Sequence, residues 1–95
     1  MDRNEIYETA ITELTEAALS ARRESCGEDE KKIYREVGAL AKEAKAVMEK
    51  LPEKEQQVLD EYFTKTSRIA QQECEYLYVQ GARDCVELLK KLGVL

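Results

Sequence analysis

Ile33, Val37, Leu40, Ala44, Val47 and Leu51 follow one another at steps of 4, 3, 4, 3 and 4 residues. At about 100° per residue such a row falls on one stripe of an α-helix. Seams of this heptad spacing belong to antiparallel hairpins and helical bundles, where another helix covers them. Lys31, Arg35, Lys42 and Lys45 cluster on the far side as a basic stripe, interrupted by Gly38 and Glu49. The rest of the composition agrees with a helical chain. Ninety-five residues hold 4 glycines, 1 proline and no tryptophan, with many Ala, Leu, Glu and Lys, a mix that favours long helices over sheets. A chain of this length makes one domain, residues 1–95, or a half-share of an oligomer, because a single small core gives little net stability.

A first helix is expected over residues 3–25. Asp2 and Glu5 have capping-box spacing, and acids in the first turn favour the positive helix end. Tyr7, Ala10, Ile11, Leu14, Ala17, Ala18 and Ala21 then share one face, with Glu5, Thr9, Thr12 and Glu16 opposite. Gly27 is expected to end this helix in the left-handed conformation. The second helix covers about residues 29–50. The joint before the third is "LPEKE": Leu51 is pushed out of helical geometry by Pro52, which is acceptable at a first helical position.

From there the pattern predicts one helix over residues 53–92, about 60 Å long, against ~36 Å for each of the first two. The stretch 64–67 contains Thr64, Thr66 and Ser67 but lacks a Glu or Gln three places on to complete a cap. Lys90 and Lys91 suit the last turn and Gly93 the terminator. The apolar row changes phase on the way. Leu59, Tyr62, Thr66, Ile69, Glu73 and Tyr76 form the first row; Cys74, Tyr78, Gly81, Cys85, Leu88 and Leu92 form the second. A hairpin of the first two helices would leave roughly 20 Å of the third overhanging. That overhang carries Tyr78, Cys85, Leu88 and Leu92, with Gly81 at the closest helix approach, and a twofold partner is the simplest cover. The fold class expected is all-α: a helical hairpin plus a long third helix, forming an oligomeric helical bundle with Tyr78, Gly81, Cys85, Leu88 and Leu92 at the interface.

Charge and chemistry narrow the functions. Residues 1–30 carry net −6, residues 31–51 net +3 and residues 52–95 net −2, so the overall −5 is concentrated at the start. This argues against nucleic acid as the main partner, leaving Lys31, Arg35, Lys42 and Lys45 as the only candidate contact. No signal peptide and no membrane-spanning run are expected, and three cysteines without a pairing pattern read as reduced thiols in a cytoplasm. Cys74 and Cys85 lie ~16 Å apart along a helix, too far to share a metal, and are expected to be buried small residues. The chain has no histidine, no phosphate loop and no nucleophile motif, so neither metal, cofactor nor catalysis is expected.

The last 45 residues, from "LPEKEQQVLDEYF" to "ECEYLYVQGARDCVELLKKLGVL", resemble a pattern seen in short uncharacterised helical proteins of Gram-positive bacteria and their phages or mobile elements. The Leu-Pro joint, "LDEY", "YLYVQG" and "LLKKLG" carry the likeness. The resemblance implies a cytoplasmic bacterial origin and an all-helical fold, and it brings no activity with it. The function expected is a small non-enzymatic interaction protein that homo-oligomerises, a dimer being favoured, with an unknown protein partner. One alternative is an acidic inhibitor that occupies a nucleic-acid site on a host defence protein. Another is a weak nucleic-acid-binding regulator using the basic stripe.

Overall fold

The computed structural model describes residues 2–95 and, among them, contains α-helices only: α1 (Arg3–Ser25), α2 (Glu28–Glu49) and α3 (Glu53–Lys91). Each boundary has a local cause. The Glu5 amide donates to Asp2 Oδ1 at 2.8 Å while the Asp2 amide donates to Glu5 Oε2 at 3.3 Å, the reciprocal capping box expected of these two acids. Gly27 departs from expectation. Its φ of −67° and ψ of 166° are extended, and it serves as the N-cap of α2 rather than as a left-handed terminator of α1. With no side chain to cap the helix, α2 relies on Glu28, Asp29 and Glu30 in its first turn to face the positive helix end.

α3 runs unbroken through residues 64–67 for 39 residues, about 58 Å. The Thr66 hydroxyl donates to the Phe63 carbonyl of its own helix, so this side chain is satisfied without opening the backbone. Gly93 ends the helix with φ +76°, where its amide reaches Lys90 and that of Val94 reaches the Leu89 carbonyl at 3.0 Å. These are the two bonds of a Schellman motif, and glycine adopts the required positive φ without a Cβ penalty.

The chain divides into two compact units. Met1–Leu19 pack with Arg68–Leu95, and Ser20–Ser67 form the other. In the second unit the hairpin is α2 with the start of α3, joined through residues 50–52. Gln56 clasps this joint: its side-chain amide donates to the Leu51 carbonyl at 2.8 Å and to the Glu49 carbonyl at 3.4 Å. Two carbonyls left over at the end of α2 thereby gain a donor. Gln56→Ala is expected to cost about 0.5–1.5 kcal/mol, read as a lowered urea midpoint. In the first unit α1 lies beside the C-terminal stretch of α3, the part expected to overhang uncovered.

Burial is scarce. Among the described residues only Cys26 and Thr15 are buried, each 6% exposed, while Leu51, Leu59, Val79 and Leu89 are half-covered. The accessible surface is 8434 Å². A folded monomer of this mass exposes about 5,600 Å², so the chain presents about 2,800 Å² more than its size requires.

Candidate functional site

The candidate site is a set of uncovered helix faces; in the first unit a shallow hollow between α1 and α3 is lined by Glu8, Thr12, Gln72, Glu75, Tyr76 and Arg83. On α3, Cys74, Tyr78, Cys85, Leu88 and Leu92 are all exposed, Leu88 at 57% and Leu92 at 67%. A methyl group added at Gly81 would meet nothing within 4 Å. Within one chain, then, Gly81 is not at a close helix approach. The two seam cysteines also depart from the expected burial: both are exposed. The buried thiol is Cys26, at the α1–α2 joint, where Sγ donates to the Arg23 carbonyl at 3.3 Å. Its position one residue past α1, hemmed by two helix ends, was the available signal in the sequence.

The α2 seam is equally bare. Ile33, Val37, Leu40 and Val47 are 57–60% exposed. α2 turns a neighbouring face to α3, and the shallow groove between them is lined by Ala41, Ala44, Lys45, Met48, Asp60 and Phe63. Lys45 faces this groove beside Glu49 and Asp60. Lys31 and Arg35 instead gather with Arg23 of α1 around Tyr34, the Arg23 guanidinium carbon lying 5.7 Å from the ring centroid. Lys42 is exposed. Arg23 was absent from the sequence-derived set because only the turn between α1 and α2 brings it to the stripe, whereas Tyr34 lies on α2 itself beside Arg35. Nearby acids offset the cluster: Arg35 lies 3.9 Å from Glu28, and Arg22 pairs with Glu30 at 2.7 Å. That pair raises the Arg22 pKa through its hydrogen bond and charge, without consequence for a group that is always protonated.

On α1 the face against α3 is polar. The Thr12 hydroxyl donates to Glu75 Oε1 at 2.7 Å, and Gln71 reaches the same oxygen at 3.4 Å. Buried Thr15 satisfies its hydroxyl on the Ile11 carbonyl at 2.7 Å. The expected inward face is therefore only partly realised: Ile11 is half-covered, while Tyr7 at 58% and Leu14 at 52% remain in water. Glu5, Glu8, Glu13 and Glu16 share an exposed, shallow acidic surface with Thr9 and Thr12.

On α3, Lys65 lowers the Glu61 pKa, first by its hydrogen bond at 2.8 Å and then by its charge, and Glu61 raises that of Lys65 in the same order. The pair's support for the helix is thus present between the carboxylate and lysine ranges. It is lost as pH falls through the lowered Glu61 value or rises through the raised Lys65 value.

Among the described residues, no group of three His, Cys, Asp or Glu side chains could hold a metal ion, and no helix is long and apolar enough to cross a membrane. The chain matches no family model, and no curated protein and no solved structure shows significant similarity to it.

Proposed function

We propose that this chain is a small non-enzymatic helical interaction protein that completes its core by homo-oligomerising, with a closed twofold dimer as the simplest form. One observation carries the reading: about 2,800 Å² of surface beyond that of a folded monomer. Much of it is heptad-spaced apolar side chains, which cost free energy in water roughly in proportion to their area. Obligate homo-oligomers bury about 2,000–5,000 Å² or more counting both partners, and an excess of this size on each of two chains belongs at that upper end. Tyr78, Gly81, Cys85, Leu88 and Leu92 of α3 form one contact in this reading. The likeness of the C-terminal half to helical proteins of Gram-positive bacteria and their mobile elements supports a bacterial, cytoplasmic setting and phage or mobile-element origin.

Light scattering across a concentration series is expected to give at least twice the chain mass at micromolar concentration. A chain that stays monomeric into the high micromolar range would remove the proposal. The glycines offer a finer check. Gly38 lies inside α2, off its seam and with open space around it. Gly38→Ala should therefore stabilise by about 1 kcal/mol through helix propensity alone. Gly81→Leu should destabilise by about 1–3 kcal/mol, because a second helix would be overpacked there. Urea midpoints at one protein concentration compare the two, and a stabilising Gly81→Leu would take Gly81 out of the contact.

A further inference from the structure

We infer that the α2 seam pairs with the α2 seam of a second copy, antiparallel, about a twofold axis level with Lys42. This rests on the self-association proposed above and assigns it a second contact. One standard contact removes about 800 Å² per partner, well short of the excess each chain carries, so the α3 seam alone is insufficient cover. The α2 seam is the stronger candidate for self-pairing because of its spacing, its exposure and its flanks.

Steps of 4, 3, 4, 3 and 4 read the same in both directions. An antiparallel copy can therefore set every seam residue over one of the alternate row. Ile33 then meets Leu51 of the second copy, Val37 meets its Val47, and Leu40 meets its Ala44, each twice. Leu51 lies just past α2, but the Lys50 cap stays helical at φ −86° and ψ −10°, so the row continues to that end. None of these side chains is buried in the single chain.

The flanks agree with this register. Glu36 faces Lys50 of the second copy at both ends, and neither forms an ion pair within the chain among the described residues. On the other flank Tyr34 lies under Arg23, and Ala41 and Met48 line the groove toward α3 of the same chain, so the pairing is carried by the seam and the Glu36 and Lys50 side. Lys31, Arg35, Lys42 and Lys45 all stand away from the seam, so the basic stripe does not oppose pairing. Glu43 alone meets a like charge, at the solvent edge. A parallel arrangement would lose both Glu36–Lys50 pairs and align the helix dipoles. The same antiparallel register on the α3 seam would set Lys91 against Leu77 and Glu75 against Leu89, so its flanks favour self-pairing less.

The test uses the full chain with exposed Cys74 and Cys85 replaced by alanine and buried Cys26 retained. A short bismaleimide is the probe. Glu43→Cys is expected to be captured as a covalent dimer. Glu36→Cys alone is expected to escape, since the two copies of position 36 would lie about 21 Å apart along the axis. Mixed with Lys50→Cys, it should give the heterodimer. Capture of Glu36→Cys alone as efficiently as Glu43→Cys would overturn the antiparallel register. A background that is multimeric by light scattering but yields no capture at these positions would overturn the α2 contact and leave self-association standing. A parent chain that is monomeric by light scattering would overturn both. All three positions are exposed and off the seam, so the substitutions leave the fold of the chain intact.

Discussion

Leu88→Asp is expected to reduce the assembly to smaller species at concentrations where the parent is multimeric, and Leu40→Asp to do the same. Both leucines lie in water in the single chain, Leu88 at 57% and Leu40 at 60% exposed. If the chain functioned alone, a surface aspartate at either place would change stability by no more than about 0.5 kcal/mol. Placed in a seam closed by a second copy, it is a buried charge without a partner, costing on the order of 3–5 kcal/mol, and a twofold contact contains it twice. At about 1.4 kcal/mol per tenfold, even one such site raises the dissociation constant roughly a thousandfold. Lys42→Asp is the control: it also introduces an acid on exposed α2 surface, but off the seam, and the mass should stay that of the parent. Sedimentation at matched concentrations reads all three. Leu40→Asp and Leu88→Asp proteins that keep both the parent mass and the parent urea midpoint would mean that neither seam is covered.

Thermal unfolding should depend on protein concentration. The single chain buries only Cys26 and Thr15 among its described residues, too little to hold a folded state against the entropy of ordering about 1–2 kcal/mol per residue. Folding and association are then one equilibrium, and the folded population rises with the number of chains. For a dimer of two 95-residue chains the unfolding entropy is about 0.4 kcal/mol/K, and a tenfold rise in concentration adds about 1.4 kcal/mol. The midpoint should therefore climb about 3.5 °C per tenfold. Circular dichroism at 222 nm between 1 and 100 micromolar, at about this span of two decades, covers a shift of roughly 7 °C. A midpoint independent of concentration would indicate a self-sufficient monomer, contrary to the area it exposes.

The helices and their ends were legible in the sequence because the interactions that set them are local. Asp2 and Glu5 are three residues apart and cap one another. Gly93 sits where a helix must turn left-handed to give Lys90 and Leu89 their donors. Pro52 interrupts the chain whatever surrounds it, and the absence of any cap after residues 64–67 agrees with a continuous α3. The apolar seams were visible for the same reason, as periodic positions along single helices. Gly27 was read wrongly because a glycine suits an N-cap as well as a C-terminal turn, and only the direction of the next helix distinguishes them.

Which face meets which helix was decided only in three dimensions. Thr12 looked polar and outward on α1, yet the structure sets it against α3, and Thr15 is buried. A threonine can bond its own Ile11 carbonyl or a distant Glu75 and so lose little by burial. Gln56 carried no pattern at all until the hairpin placed the end of α2 within reach of its amide. Arg23 joined Lys31, Arg35 and Tyr34 because the α1–α2 turn folds them together, not through any spacing along the chain. Helix formation is governed by neighbours three or four residues away, so a sequence states it directly. Helix pairing depends on small differences among several usable faces, and those differences exist only once the helices are side by side.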